Sequence, residues 1–501
     1  MLTMSPSNNL DYHHYKTALQ KIADIKYASA VLQWDQETYL PKSGNDGRGR
    51  QIATLNELAH EQFTVSKLGD VMNELLQSGK LNDRENRNVI LSLEDYEKSK
   101  KLPSSFVRKM SETVNKSFHA WVQARRQNSF SLFENRLQEI IELKKKEADL
   151  LGYENHPYNA LMNDYDKGLT TTIVDKLFAD LQPQLSSILA KINAQEQPDD
   201  SMLHQHFDKT AQWDTGIEIL KRMHFNFDAG RQDISEHPFT TNFSSRDVRV
   251  TTRIDQNDFG NMLWSCIHEG GHALYEQGLA NEEYGLPLGE YCSLSIHESQ
   301  SRLWENCIGR GLAFWQHNFA FLQEKFPKQF KNKTVEQFYA AINKVRPSLI
   351  RTEADEVTYH FHVMIRYEIE KLLIKGVISA KDIPTYWNEQ YKKYLGVAVP
   401  DDAQGCLQDV HWSHGSFGYF ATYSIGSLYA AQFYSTIENK YPQIEQEISN
   451  GNTTKVWEWL KDNVYSKGRY YSSEDLCKQA TGHHLQSSYF INYLEKKFFT
   501  L

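Results

Sequence analysis

The segment His268-Glu269-Gly270-Gly271-His272 constrains this chain of 501 residues more than any other part of it. Residues four apart lie on one face of an α-helix, so His268 and His272 can both present an imidazole nitrogen to a single metal ion. Glu269 lies about 100° around the same helix, where its carboxylate can take a proton from a water molecule bound to the metal. The segment therefore predicts a helix that carries two metal ligands and a general base.

The residues around this motif have the pattern of a buried helix. Apolar side chains at helical spacing run through 259–279 and form one face, which contains Met262, Leu263, Cys266, Ile267, Ala273 and Leu274. Gly270 and Gly271 interrupt the pattern, since each costs about 1 kcal/mol relative to alanine inside a helix. We therefore expect another backbone or a substrate to approach the helix closely at the two glycines, where a Cβ would block it.

A catalytic metal needs a third protein ligand besides the two histidines. A second helical stretch, from about 290 to 321, holds three candidates for it, His297, Glu298 and Glu305. Glu298 lies well inside this stretch, where packing can fix its side chain against the first helix, and it is spaced for an i,i+4 pair with Arg302. Spacing favours Glu298 and leaves the other two open.

Charge and cysteine content exclude several classes of function. The net charge is −9, from 55 basic and 64 acidic residues, and no long basic block occurs, which argues against nucleic acid or an anionic membrane as the partner. No stretch resembles a membrane span, and the first 15 residues lack the basic start and apolar run of a secretory peptide. The five cysteines are scattered and odd in number, as free thiols in a reducing compartment would be. These features predict a cytoplasmic protein.

Helical periodicity dominates the rest of the chain, and we predict a mainly α protein. The predicted helices cover 10–34, 48–60, 64–77, 83–102, 104–128, 130–151, 171–194, 334–346, 352–374 and 380–395. Alternation within 238–254 predicts a β-hairpin just before the metal helix. Its edge could bind an extended peptide by strand addition, or the hairpin could only cover the helix.

A glycine-rich connection at 397–423 concentrates histidine and tyrosine. Such side chains can donate hydrogen bonds to a developing oxyanion. They can equally be buried aromatic groups with satisfied hydrogen bonds.

Six motifs, in order along the chain, resemble those of the carboxypeptidase Taq family of metallocarboxypeptidases. They are His237-Pro238-Phe239, Asp247-Val-Arg249-Val-Thr251, His268-Glu269-Gly-Gly-His272, His297-Glu298-Ser-Gln, Ile350-Arg351-Thr-Glu-Ala354-Asp355 and Gly405-Cys-Leu-Gln408-Asp409-Val-His411-Trp412. Flanking similarity extends from 34–41 to 480–482, which is essentially the whole chain. Ala421 departs from the pattern, because it stands where the family's Gly-Tyr-Phe-Pro run has proline.

The resemblance implies a large helical, zincin-like peptidase with a deep groove and a small β-sheet beside the metal helix. It implies one catalytic domain over 1–501, whose helical N-terminal part, about 1–150, forms one groove wall, and a homodimer. It also implies zinc held by His268, His272 and Glu298. Co²⁺ or Mn²⁺ could replace zinc at such a site.

The predicted function is that of a zinc-dependent metallocarboxypeptidase, which releases single C-terminal residues from peptides with broad specificity by Glu269-assisted attack of metal-bound water. By resemblance to groove-shaped zincins, Tyr423, with Tyr419 or His414, would contact the oxyanion and the substrate amide. The competing interpretations are a zinc endopeptidase or dipeptidase with the same chemistry, and a helical interaction protein without catalysis.

A carboxypeptidase must also recognise the free C-terminal carboxylate, for which the fork of a guanidinium is well suited. Arg351 is the first candidate, and Arg249, with His237 at the closed end of the groove, is the second. Both arginines could instead belong to structural ion pairs. His411, from the last motif, is a further expected substrate contact.

Overall fold

The computed structural model describes residues 12–500. Its helices, in chain order, are α1 (Tyr12–Thr38), α2 (Asn45–Phe63), α3 (Ser66–Gln77), α4 (Asp83–Lys100), α5 (Ser104–Gln127), α6 (Ser131–Leu151), α7 (Tyr158–Met162), α8 (Thr171–Asn193), α9 (Lys209–Arg222), α10 (Phe259–Gly278), α11 (Leu294–Arg302), α12 (Leu312–Lys325), α13 (Pro327–Phe330), α14 (Val335–Ile342), α15 (Tyr359–Lys375), α16 (Ile383–Leu395), α17 (Phe420–Lys440), α18 (Ile444–Ser449), α19 (Thr454–Asn463), α20 (Ser473–Thr481) and α21 (Ser487–Phe499). The strands are β1 (Gly230–Ile234), β2 (Thr240–Ser244) and β3 (Asp247–Thr252). The mainly α fold with a small sheet is confirmed.

Most predicted helices are present, with ends that shift by a few residues. The prediction for 352–374 starts too early, because α15 begins only at Tyr359, after a 3₁₀ turn at Arg351–Glu353. The stretch 290–321 is not one helix: α11 continues as a π-helix, Leu303–Gly309, before α12 begins. Two parts of the sequence predictions lie outside the described residues: residues 10 and 11 of the first predicted helix, and most of the first 15 residues, which were considered as a secretory peptide.

The predicted hairpin is confirmed as the antiparallel pair β2 and β3. The sequence analysis missed β1, which pairs with β3 in parallel and carries the polar residues Gln232 and Asp233 on its buried positions. The strand order is β1-β3-β2, so β2 is an edge strand.

The apolar residues of the helix α10 belong to the larger of two apolar clusters. That cluster extends from Trp121 to Leu494, while a smaller one joins α1, α2, α3 and α4 and includes Leu286. The sheet, α9 and α11 pack around α10, and side-chain caps from Asp258 and Ser293 begin α10 and α11. The single domain over 1–501 and its groove wall stay predictions. Within 12–500, no helix has both the length and the apolar character to cross a bilayer.

Candidate metal centre and active site

The structure brings His268, His272 and Glu298 together. One ligand atom from each lies within 4.8 Å of the others. Oε2 of Glu298 is 3.7 Å from Nε2 of His268 and 3.5 Å from Nε2 of His272. Two imidazoles and a carboxylate, with no thiolate, form a donor set that suits a divalent cation and leaves a coordination position for water or substrate.

Close contact between the helices makes this convergence possible. A Cβ on Gly271 would lie 2.6 Å from both the carbonyl oxygen of Gln300 and Cα of Ser301 on α11. On the other side of α11, a Cβ on Gly426 of α17 would lie 2.6 Å from Cγ of Glu298. The expectation that another backbone approaches the glycine pair of α10 is thus confirmed at Gly271.

The two other candidates for the third ligand support the histidines instead. Nδ1 of His268 lies 2.8 Å from Oε2 of Glu305, and Nδ1 of His272 lies 3.0 Å from the backbone oxygen of His297. With Nδ1 donating in each ring, both Nε2 atoms are free to accept a cation.

The side chain of His297 points away from the centre. Its Nε2 lies 2.8 Å from Oε1 of Glu276, and its ring stacks on that of His272 with 4.4 Å between centroids. His297 therefore packs behind a candidate ligand.

Charge and burial leave Glu298 and His272 in the forms that bind a cation. Burial alone raises the pKa of Glu298, but Arg302 and His268 outweigh it and hold the pKa well below its usual range. Nε of Arg302 donates to Oε1 of Glu298 over 2.7 Å, which confirms the i,i+4 pair. Burial lowers the pKa of His272 to about 3. At neutral pH the carboxylate is therefore ionised and this imidazole is neutral.

Glu269 lies on α10 beside His268, with 8 % of its surface exposed. The hydroxyl of Thr240 on β2 donates to Oε2 of Glu269 over 2.6 Å. Burial raises the pKa of Glu269, although the nearby His268 and the Thr240 hydrogen bond act in the opposite direction. The side chain of Asn242, two residues along β2, bonds to Glu276 of α10, so two alternate side chains tie the edge strand to this helix.

Tyr419 and Tyr423 lie at the start of α17, with their rings 4.9 Å apart. Nε2 of His411 lies 3.1 Å from the Tyr423 hydroxyl. Burial raises the pKa of both phenols, and the Glu298 carboxylate adds to the effect. Both phenols are therefore protonated donors near the candidate metal ligands. Together with His411 they form what we call the tyrosine cluster.

His414 is not part of this cluster. It is exposed, and its ring packs against Phe118 of α5 with 5.1 Å between centroids.

Arg351 is buried and belongs to an ion pair. Its Nε and Nη2 donate to Oδ1 of Asp409 over 3.0 and 2.8 Å, and its Nη1 donates to the Tyr359 hydroxyl. Asp409 also pairs with Arg366 at 2.6 Å. The Arg351 guanidinium lies over the ring of Tyr423, 4.9 Å from its centroid, so the pair adjoins the tyrosine cluster.

Arg249 and His237 lie on the sheet. Arg249 pairs with Asp247 at 2.9 Å, and its guanidinium lies over the rings of Trp34 and Phe243, with 4.3 and 4.8 Å to their centroids. His237 is exposed just before β2. Within 12–500, no hydrogen bond or ion pair brings either residue to the tyrosine cluster.

The sequence analysis missed three residues of the site. Thr240 and Asn242 alternate along β2, so the period of a strand could have placed both on the α10 side. Tyr359 lies under the guanidinium of Arg302, 4.3 Å from the ring centroid, and nothing in its sequence context indicates that position.

Comparison with known proteins identifies the family. The model of the carboxypeptidase Taq (M32) metallopeptidases matches residues 14–498. The chain belongs to the carboxypeptidase Taq family. Carboxypeptidase 1 of Bacillus subtilis (strain 168), a relative, is 36 % identical over 485 residues, which cover 96 % of this chain and 97 % of the relative.

Solved structures agree with this family assignment. The M32 carboxypeptidase from Deinococcus radiodurans R1 is 35 % identical with a TM-score of 0.95, over 97 % of this chain and 98 % of that one. A structure described as that of CHT is 55 % identical with a TM-score of 0.95, over 97 % and 99 % of the two chains. The predicted family is confirmed, and carboxypeptidase Taq membership makes this chain a metallocarboxypeptidase that acts on peptides with a divalent metal.

Proposed function

We propose that this chain is a zinc-dependent metallocarboxypeptidase that releases single C-terminal residues from peptides with broad specificity. The convergence of His268, His272 and Glu298 beside Glu269, in a member of the carboxypeptidase Taq family, carries the proposal.

Zinc is the proposed metal because two neutral imidazoles and one carboxylate are the ligands of many catalytic zinc sites. Co²⁺ or Mn²⁺ could substitute for it. When bound, such a cation polarises a carbonyl group and lowers the pKa of water.

Glu269 is the proposed general base. Its carboxylate accepts a proton from the attacking water and later delivers it to the leaving amine. A pKa raised by burial suits both steps, because the proton must be taken up and then released. Thr240 holds Oε2 of this carboxylate in place.

Tyr423 and Tyr419 are the proposed oxyanion donors, because both phenols carry their protons at neutral pH and lie near Glu298. His411 orients the Tyr423 hydroxyl and is a proposed substrate contact. His414 is the weaker candidate, since it is exposed and packs against Phe118.

The outer edge of β2, which does not pair with β3, is the proposed site for the peptide backbone. Its ties to α10 through Thr240 and Asn242 would keep a bound peptide at a constant distance from Glu269.

Arg351 remains the first candidate for the substrate carboxylate. Two guanidinium groups, those of Arg351 and Arg366, share the single carboxylate of Asp409, so the cluster keeps one net positive charge. Arg249 with His237 is the second candidate, although its pairing with Asp247 favours a structural role.

A peptide digest followed by mass spectrometry, with and without a chelator, tests the function. We expect a ladder that loses one C-terminal residue at a time, no ladder with the chelator, and protection of peptides with an amidated C-terminus. Internal cleavage of amidated peptides would indicate an endopeptidase, and release of free amino acids from dipeptides alone would indicate a dipeptidase. No hydrolysis by the zinc-loaded protein would indicate an interaction protein.

We also propose a homodimer in the cytoplasm. The five cysteines are all free thiols in the structure, which supports a reducing compartment. Light scattering after size exclusion and cell fractionation test these two proposals.

A further inference from the structure

Arg302 stands between two buried carboxylates, each of which serves one part of the candidate metal centre. Its Nε donates to Oε1 of Glu298 over 2.7 Å, and its Nη1 donates to Oε2 of Glu305 over 3.3 Å. Glu298 and Glu305 are seven residues apart, two helical turns, with Arg302 four residues after the first and three before the second. One guanidinium therefore joins both acids along a single face of α11 and its π-helical continuation.

On the Glu298 side, Arg302 decides which oxygen faces the imidazoles. Oε1 is held by the guanidinium, while Oε2 is the atom that lies 3.5 Å from Nε2 of His272 and 3.7 Å from Nε2 of His268. The Ser301 hydroxyl lies 3.2 Å from Oε2 but only 2.8 Å from the backbone oxygen of Glu298, which is its better acceptor. Arg302 is thus the strong donor that prevents this carboxylate from turning.

On the other side, Arg302 holds the acid that orients His268. Oε2 of Glu305 lies 2.8 Å from Nδ1 of His268, and the same oxygen accepts from Arg302. Arg310 pairs with the second oxygen, Oε1, at 3.3 Å. Both oxygens of Glu305 are therefore fixed, and with them the plane of the His268 ring.

The guanidinium itself has little freedom to move. It stacks on the ring of Tyr359, 4.3 Å from the centroid, and 13 % of its side chain is exposed. The backbone changes to a π-helix directly after Arg302, at Leu303–Gly309, and such segments often occur at functional sites.

We propose that Arg302 is a positioning residue of the metal centre, which presents one oxygen of Glu298 to the two imidazoles and locks Glu305 against His268. This inference rests on the proposed function, because it assigns a role toward the zinc ion proposed there.

Two effects of Arg302 on a cation oppose each other, and their sum can be measured. A positive charge beside the centre repels a cation, so charge alone predicts tighter zinc binding once Arg302 is removed. The loss of fixed ligand geometry predicts the opposite: without Arg302 the two carboxylates can turn away from the centre, so zinc binding should become weaker.

The variants Arg302→Lys and Arg302→Met separate geometry from charge. The lysine keeps the charge but loses the planar fork, so its ammonium can hold only one carboxylate well. We expect zinc affinity, measured by competition with a chromogenic chelator, to fall in the order parent, Arg302→Lys, Arg302→Met, with a loss of about 10- to 100-fold for methionine. The visible absorption bands of the cobalt-loaded variants should shift from those of the parent.

Arg222→Met is the matched control. Arg222 forms the same kind of i,i+4 pair, with Glu218 at 2.9 Å, and its guanidinium stacks on Phe321 at 4.7 Å and bonds to Asn318, none of which is a candidate metal ligand. The Arg222→Met variant should bind zinc as tightly as the parent does.

Parent-like zinc affinity of Arg302→Lys would overturn the proposal, as would tighter binding by Arg302→Met. The lysine variant decides the question even if the methionine variant fails to fold. His272→Ala separates the two levels of the argument: if it still binds zinc, the proposed metal centre is wrong. If it loses zinc while the Arg302 variants keep it, only the role of Arg302 is wrong.

Discussion

Replacing Gly271 with alanine should push apart the two helices that carry the candidate metal ligands. The new Cβ would lie 2.6 Å from the carbonyl oxygen of Gln300. An ordinary contact between carbon and oxygen is about 3.3 Å, so α10 and α11 must separate by roughly 0.7 Å. The atoms in the way belong to the backbone, which cannot rotate aside.

The expected loss is in metal binding more than in stability. Metal ligands tolerate displacements of about 0.2 Å, so a shift several times larger should weaken zinc binding on the order of tenfold or more. Overpacking costs about 1–3 kcal/mol of folding stability, whereas alanine stabilises a helix by about 1 kcal/mol relative to glycine. The metal-free protein should therefore lose roughly 0–2 kcal/mol.

The neighbouring glycine provides the matched control. A Cβ on Gly270 would meet only the ends of side chains, Cδ2 of Leu220 at 2.6 Å and Cε of Met223 at 3.0 Å, which can move. Gly270→Ala should therefore keep zinc affinity and stability close to those of the parent. Zinc dissociation constants and thermal unfolding with and without zinc measure both effects. If Gly271→Ala binds zinc as tightly as Gly270→Ala, the Gly271 contact does not set the spacing of the ligands.

Four further predictions concern single side chains. Glu269→Gln should keep its zinc, as measured by elemental analysis, and should lose about 10²- to 10⁴-fold in kcat. A fully active variant would show that Glu269 is not the general base. Thr240→Val should lower kcat at unchanged zinc content and Thr240→Ser should restore it, since only the hydroxyl bonds to Glu269; equal rates for both would contradict this. Arg351→Ala should raise KM for peptides with a free C-terminus, with the fold kept because Arg366 still pairs with Asp409, and unchanged kinetics would point to another residue. Burial raises the pKa of Glu370 from 4.5 to about 7, so between these pH values the folded protein holds this proton while the unfolded chain does not. The free energy of unfolding should therefore fall by on the order of 3 kcal/mol as pH rises through that window. Urea unfolding measured across the same pH range should show no such fall in the free energy of unfolding for Glu370→Gln.

The third ligand marks where reasoning from the sequence became ambiguous. His297, Glu298 and Glu305 lie in one helical stretch, and each has a side chain that can bind a metal. Glu305 lies two turns beyond Glu298 on the same face, in the π-helix, and meets Nδ1 of His268. His297 differs from Glu298 by rotation around α11, so that Glu298 faces the imidazoles while the side chain of His297 faces Glu276. Only the packing of α11 between Gly271 and Gly426 decides that rotation.

The substrate-binding candidates were ambiguous in sequence in the same way. A guanidinium in a motif indicates an anion partner, but it does not say whether that partner is a substrate or another side chain. Arg351 has Asp409, and Arg249 has Asp247, as partners within the fold. Strand β1 was missed because its buried positions are polar and because it pairs in parallel with β3, beyond the intervening β2.

The sequence by itself determined what depends on neighbours in the chain: the helical periods, the hairpin of β2 and β3, and the pairing of His268 and His272 on one helix face. Six ordered motifs also placed it in its family, which the comparisons confirm. The tertiary structure alone decided which acid meets the imidazoles, that Thr240 holds Glu269, and that Arg302 joins two carboxylates over Tyr359. The physical reason is that helical spacing is a local property of the backbone, whereas the distance between two helices depends on contacts between residues far apart in sequence.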